Sequence, residues 1–294
     1  MAAHNPGPRR DTRGIVDAAD LFTHVRFRRH EPAPALRPYL EHYWLIDWDL
    51  PQPYASHVVP HPSVNLVFQR YDDGRPDFLE LSGVGLSLAT RKLSGRGRVC
   101  GIQFRPGGFR PFAPVFPVSE WTDRVILADP VFPAADPAAV LSPDRDEDRV
   151  AALDGFLLGL DPRPDPQAEL AMELVDRIRH DRTVRRVDAL AREAGLSARS
   201  LQRLFAACVG VGPKWVVLRY RIHEALEHAE SAAIVDWTRL ADELGYADQA
   251  HLVRDFTATL GAPPSALRPA AFRPWSGAVV RPDAYSSGHE RHSP

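Results

Sequence analysis

The chain is poor in cysteine, methionine and lysine. Its 294 residues include two cysteines, Cys100 and Cys208, and two methionines. Two thiols so far apart make no disulfide framework, and this pattern predicts a reduced, cytoplasmic protein. Lysine occurs only at Lys92 and Lys214, so arginine carries nearly all the positive charge. Arginine or alanine richness at any one place is therefore discounted as composition. The net charge is only −2, which argues against a generally adhesive polycation. No apolar run is long enough to span a bilayer, and the opening MAAHNPGPRRDTRG has no apolar centre, so neither a membrane segment nor a signal peptide is predicted. A nucleophile triad, a phosphate loop and a carboxylate pair at a useful spacing are all missing, so no cofactor and no enzymatic role is predicted. What remains is a 44% hydrophobic, 25% charged chain, ordinary for a globular protein of about two domains.

The first half reads as strands and turns. Residues 1–20 carry no ordering signal, and β structure is expected from Phe22 to about Val125. YWLIDWDL around Trp44 and Trp48 is aromatic and is expected to stop at Pro51 and Pro53. In Ser63 to Gln69, Val64, Leu66 and Phe68 alternate with polar neighbours, a half-buried strand pattern. Asp72 to Pro76 is a turn, FLELSGVGL another extended piece, and Val99 to Phe109 a strand ending at a Pro-Gly-Gly turn. Short strands at this spacing predict a β-rich domain over residues 20–160, either a sandwich or a small, cupin-like barrel. DRVAALDGFLLGL reads as a helix. Asp161 to Gln167, DPRPDPQ, reads as a stiff, extended linker between two independent cores.

Beyond the linker the pattern turns helical, predicting an all-α domain over residues 167–274 and an α+β, two-domain chain. AELAMELVDRIRH places Leu170, Leu174 and Ile178 on one face. Val187 to Ala194 reads as a short helix, Gly195 as a turn that needs positive φ, and Ser197 as the cap of a second helix over Arg199 to Val209. On that helix Leu201, Leu204, Phe205 and Cys208 share one side, and Arg199, Gln202, Arg203 and Ala206 the other. An apolar face inward and an Arg/Gln face outward suits a helix that reads the major groove. The pattern then repeats. LAREAGLSARSLQRLF, from Leu190, returns fifty positions later as LADELGYADQAHLVRDF, and the second helix realigns at fifty-one, pairing Leu201 with Leu252, Arg203 with Arg254 and Phe205 with Phe256. A long helix opened by Pro213 joins the units, with Trp215, Leu218, Ile222 and Leu226 as its core stripe. An isolated Arg/Gln face is usually plain solvated surface; two in tandem on one helical connector reverse that reading.

These residues, together with GVGPKW, RIHEA and the closing GAPPSALR, make residues 167–274 resemble the DNA-binding domain of the AraC/XylS family of bacterial transcription regulators. The resemblance covers a little over a third of the chain. The front half, with VVPHPSVNLVF and GIQFRPGGFRPF, resembles a β-rich, sensor-like domain often joined to this module. The family resemblance implies base or phosphate contacts from Arg199, Ser200, Gln202 and Arg203 in the first unit. In the second it implies Gln249, Ala250, His251, Val253 and Arg254. It implies double-stranded promoter DNA as partner, with RNA polymerase, a small-molecule effector and a homodimer as further family partners, and a non-enzymatic, cytoplasmic protein. Three departures stand out, one being that Asp255 adds a negative charge next to Arg254. Ala206 and Thr257 stand where family members often have a basic residue, and residues 167–274 hold 15 Arg/Lys against 14 Asp/Glu, a net of +1.

Other residue groups admit competing readings. Trp44, Trp48 and Phe104 could line an effector pocket, although aromatics in strands are more often core. His57 and His61 are separated by Pro60 and lack a completing Glu or Cys, so no metal site is predicted. Cys100 reads as a small buried residue. Two rival functions remain: an enzyme whose β domain processes a small molecule with the helices as tether, and an adaptor whose helix pairs bind protein.

Overall fold

In the computed structural model, residues 14–184, 186–231 and 235–264 are described. They comprise seven strands and nine α-helices among the described residues. The N-terminal half holds β1 (Ile15–Val16), α1 (Ala18–His24), β2 (Val25–His30), β3 (Leu40–Val58), β4 (Asn65–Tyr71), β5 (Phe78–Ser82), β6 (Ala89–Phe104), β7 (Val125–Leu127), α2 (Pro137–Leu141) and α3 (Asp146–Gly159). The C-terminal half is helical: α4 (Pro166–His180), α5 (Val187–Glu193), α6 (Ala198–Cys208), α7 (Pro213–Ser231), α8 (Trp237–Glu243) and α9 (Gln249–Leu260). This is the two-part, β-then-α architecture that the sequence pattern predicts. The closing GAPPSALR lies partly, and residues 265–294 wholly, outside the described residues.

The strands form one antiparallel sheet in the order β1-β3-β6-β4-β5-β7, with β2 also pairing β3. The β-rich half is thus built on a single seven-stranded sheet, in which the two long strands β3 and β6 pair with each other. Strand β3 does not stop at Pro51 and Pro53, as expected, but runs through them to Val58. Its register against β6 shifts between Leu50 and Tyr54, so both prolines fall in a bulge where no ladder hydrogen bond is required. Strand β6 begins ten residues before Val99, because RKLSGRGR pairs with the far half of β3 even though it lacks an apolar alternation. The segment just before Asp20, expected to be loose, instead supplies β1, whose Val16 packs beneath the C-terminal helices.

Alternation along the sheet builds a core on each face. Tyr43, Leu45, Leu66, Phe68, Cys100, Ile102 and Phe104 point toward α2, α3 and the short 3-10 turns that follow β6. Trp48, Leu50, Val67, Val99 and Leu93 point the other way, with Trp44 and Ile46 packed beside them. On that second face Trp44 lies opposite Gly101 and Trp48 opposite Gly97 in the register. A Cβ at Gly101 would sit 2.0 Å from the Trp44 ring, and one at Gly97 2.2 Å from the Trp48 ring. Each indole covers a glycine that has no side chain of its own. Gly101→Ala should therefore push Trp44 off the sheet and cost about 1–3 kcal/mol as overpacking. Urea unfolding of the variant checks this, and a cost within about 0.5 kcal/mol, the ordinary range of surface substitutions, would contradict it.

The two halves do not have separate cores. Val84 joins the cluster of the first helical unit, with Leu174, Leu201, Phe205 and Val216. Val16 and Val59 join that of the second unit, with Ile222, Leu240, Leu252 and Phe256. The proline segment before α4 is likewise pinned. Asp165 caps α4 by accepting from Gln167 N (2.8 Å) and Ala168 N, and it also pairs with Arg110 Nε (2.6 Å) from the β half. Further links are Arg179 to Glu41 (2.8 Å), Arg105 to Asp176, and Thr122 Oγ1 to the carbonyl of Gly210 (2.6 Å). Composition reported a stiff linker; it could not report that the partners on either side would pack together.

Candidate nucleic-acid interface

The repeat seen in the sequence is also a repeat of backbone geometry. At the end of α5, Gly195 adopts φ +66°, its N–H bonds to Arg192 O, and Leu196 N–H reaches Ala191 O. At the end of α8, Gly245 adopts φ +73°, its N–H bonds to Asp242 O, and Tyr246 N–H reaches Ala241 O. Positive φ is where an L side chain is strained, so glycine at each turn follows from the backbone path. The helices that follow are capped alike. Ser197 Oγ accepts from Ser200 N (3.0 Å), and Asp248 Oδ1 accepts from His251 N (2.7 Å). Residues 195 and 245 are fifty apart, while 197 and 248 are fifty-one apart. The one-residue slip is thus a single extra residue in the second turn, Ala247.

Each second helix presents the face that the sequence predicts. In α6, Leu201, Leu204, Phe205 and Cys208 are buried, and Arg199, Ser200, Gln202 and Arg203 are exposed. In α9, Leu252, Phe256 and Leu260 are buried; Gln249, Ala250 and Arg254 are exposed, and His251 and Val253 half-buried. The two faces differ in what they leave free to reach outward. Arg199 and Arg203 have no ion pair among the described residues. Ser200 Oγ is held by Ser197 Oγ (2.9 Å), and Gln202 lies over Gly212, where a Cβ would come within 2.9 Å of its Oε1. In the second unit Gln249 Oε1 accepts from Thr238 Oγ1 (2.9 Å). His251 pairs with Asp255 (3.7 Å) and meets Tyr246 edge-on. Asp255 is only partly exposed and also lies beside the Tyr246 hydroxyl, whose pKa is raised by burial and then by this carboxylate. Asp255 thus turns back into the unit instead of facing outward beside Arg254.

The remaining candidates are dispersed. Trp44 and Trp48 share one face of the sheet, while Phe104 belongs to the core on the opposite face, so the three do not converge. His57 bonds to Thr90 (3.0 Å), whereas His61 bonds to Ser63 (2.8 Å) and sits against Tyr220 and His223 of α7. Cys100 and Cys208 are buried, and burial pushes each thiol up to about 11, away from the thiolate that reactive chemistry needs. Among the described residues no group of three or more His, Cys, Asp or Glu could hold a metal ion. No single described helix is long and apolar enough to cross a membrane. Sequence reasoning passed over the contact of the β half with α7, because its residues lie more than one hundred positions apart and carry no shared motif.

Two turn-helix units, each with a buried apolar side and an exposed polar side, on one connecting helix, define a helix-turn-helix DNA-binding protein. The comparisons agree: a family described as a helix-turn-helix domain matches residues 190–270, and a domain of unknown function (DUF6597) matches residues 28–127. Residues 190–270 are thus a helix-turn-helix domain, and the protein a DNA-binding transcriptional regulator. No curated protein matches the sequence. Among solved structures the chain is similar to ToxT from Vibrio cholerae O395, at 12% identity and TM-score 0.38, covering 82% of this chain and 95% of that one. The same protein bound to (E)-4-(8-methylnaphthalen-1-yl)but-3-enoic acid aligns at 11% identity and TM-score 0.40, covering 81% and 97%. An unsaturated fatty acid bound form from strain SCE256 aligns at 11% and TM-score 0.38, covering 82% and 90%.

Proposed function

We propose that the regulator reads two successive major grooves on one face of promoter DNA, with α6 in one and α9 in the other. The observation that carries this is the repeated turn and cap geometry, which gives the two units the same local build at either end of α7. In this reading Arg199, Ser200, Gln202 and Arg203 serve the first groove, and Gln249, Ala250, His251, Val253 and Arg254 the second. Arginine bidentate to guanine and glutamine to adenine are the pairings that geometry favours. The first unit is the stronger reader, because its two arginines are unengaged while Gln249 and His251 already have internal partners. Residues 20–160 form the sensing or dimerisation part and residues 167–274 the reading part, acting in the cytoplasm on promoter DNA with RNA polymerase as a further partner. An effector, in this reading a small molecule, acts through the β half, which packs directly on the reading units.

The test is binding of the full chain to fragments selected from random DNA. Specific binding should fall with salt, since neutralised phosphates release counterions. Arg203→Ala should cost about 1–3 kcal/mol and relax preference at one base pair. Arg145→Ala, on the β half and 73% exposed, should cost nothing. Equal losses for the two variants would remove Arg203 from the reading face. A protein that selects no sequence would favour the adaptor or enzyme alternatives.

A further inference from the structure

One carboxylate on the second reading helix lacks a donor. The Asp255 side chain, on α9, is 29% exposed, yet its Oδ2 is buried with no hydrogen-bond partner among the described residues. The donor placed to serve it is His251, one turn earlier. Its Nε2 stands 3.7 Å from that oxygen, within ion-pairing reach but beyond hydrogen bonding. The Tyr246 hydroxyl, on the preceding turn, is near enough for the carboxylate to raise its pKa, but it is likewise buried and unbonded. The His251 side chain is 44% exposed, and its ring meets Tyr246 edge-on at 5.1 Å. Among the described residues no hydrogen bond holds its other ring nitrogen, Nδ1.

Other charged and titratable groups surround this pair. On α9 itself Arg254 is exposed, three residues after His251. In the turn, Asp248 spends its Oδ1 on the backbone N–H of His251 (2.7 Å). From α7, the Arg221 guanidinium lies 5.8 Å from the Tyr246 ring centre. From α8, Thr238 is bonded to Gln249, and Arg239 is taken by Glu243 (2.8 Å). The first reading helix, α6, is built differently: it contains neither a histidine nor an acid.

A neutral imidazole carries one N–H and one lone pair. With the hydrogen on Nε2 it can serve Asp255, and Nδ1 then offers DNA only a lone pair. With the hydrogen on Nδ1, the Nε2 lone pair faces the carboxylate. Either tautomer sets one acceptor against another, whereas an imidazolium donates from both nitrogens. We propose that the second reading unit takes up one proton at His251 when it docks on DNA, the imidazolium bridging Asp255 and an acceptor atom of the duplex. The proton also cancels the Asp255 charge beside the phosphates. DNA then favours the protonated form, so the added affinity is present at low pH and is lost as pH rises through the range where imidazoles titrate. Engagement of α6 has no such group and does not follow pH. This deepens the two-groove reading above and rests on it.

The test measures binding of the full chain, at constant salt, to the selected DNA site and to the same site with its second subsite scrambled. From about pH 6 to about pH 8 the intact site should lose about five- to tenfold in affinity, within the ceiling of about tenfold per pH unit for one proton. The scrambled site should change by less than about twofold, since it engages only α6. His251→Gln keeps an N–H donor but cannot titrate, so its profile on the intact site should be flat. Asp255→Asn removes the charge that the proton answers, and should bind more tightly than the unchanged protein at pH 8, with a shallower profile. Melting temperatures show whether the variants fold, and the comparison of the two duplexes needs neither. Equal pH profiles on the two duplexes, an undiminished profile in His251→Gln, or weaker binding of Asp255→Asn at pH 8 would each overturn the proton uptake. An intact site that still binds more tightly than the scrambled one then leaves α9 as a reader. Equal affinity for both duplexes at every pH removes the two-groove reading, and the proton uptake with it.

Discussion

Asp47→Ala should destabilise the protein by about 3–5 kcal/mol, the range seen when one partner of a buried ion pair is removed. Asp47, on β3, accepts from Arg28 Nη2 (2.6 Å), Arg98 Nε (2.8 Å) and Arg149 Nη1 (3.2 Å). These arginines come from β2, β6 and α3, and Arg149 is only 2% exposed. Asp146, at the start of α3, accepts from Arg28 Nε (2.8 Å) and Nη2 (2.7 Å). Without Asp47, Arg28 and Arg149 are left to the half-buried Asp146, Arg98 keeps only the exposed Asp144, and the contact of α3 with the sheet loses its centre. Against a total stability of about 5–15 kcal/mol, such a loss removes a large part of the margin. Asp144→Ala is the control. Its side chain is 96% exposed and 3.4 Å from Arg98, so it should cost under about 1 kcal/mol. Urea unfolding that gives the two variants equal midpoints would show the cluster to be unimportant for stability.

The same cluster fixes a pH dependence. Burial raises the Asp47 pKa, but the hydrogen bonds from Arg28 and Arg98 and the charge of Arg149 together outweigh it, and the net shift is downward. The hydrogen bond from Arg28 leads the causes that hold Asp146 down to about 2. A carboxylate whose folded pKa is depressed contributes stability above its unfolded value, about 3.9, and loses it as pH falls through the folded value. Stability should thus fall between about pH 4 and pH 2, and Asp47→Asn should show a shallower fall across that window.

Inserting five base pairs between the two subsites should lower affinity toward that of the first unit alone. Linked binding of two modules commonly adds a factor of about 10²–10⁴, and half a helical turn places the second subsite on the opposite face of the duplex. Helix α7, with 19 residues, spans about 28 Å at 1.5 Å per residue. Successive grooves on one face lie about 34 Å apart, so with the thickness of the flanking units the spacing is met. The β half braces this connector through Leu86 O to Arg219, Pro60 O to His223 (3.1 Å), and Val59 in the second unit's core. A braced connector cannot follow a displaced subsite, so a full-turn insertion, which restores the face but adds about 34 Å, should fail as well. Recovery with the full turn would reveal a flexible tether, and unchanged affinity with the half turn would show that α9 does not read DNA.

The helical half was legible in the sequence because its signals are local. Gly195 and Gly245 mark turns that need positive φ, Ser197 marks a cap, and Leu201, Leu204 and Phe205 recur at helical spacing. Each of these depends on residues within a turn or two, and their repetition fifty positions on made the pattern specific. The strands around Leu66 and Phe68 were legible for the same reason, since alternation is a property of neighbours. Tertiary structure decided the rest. Strand β3 runs through two prolines because its partner β6 tolerates a bulge there, and the aromatic candidates Trp44 and Phe104 fall on opposite faces of the sheet. Asp47 gathers arginines from three elements, and the connection at residues 83–88 crosses α7 to meet Arg219. Such contacts join residues up to about 130 positions apart through burial and charge, and spacing along the chain carries no trace of them.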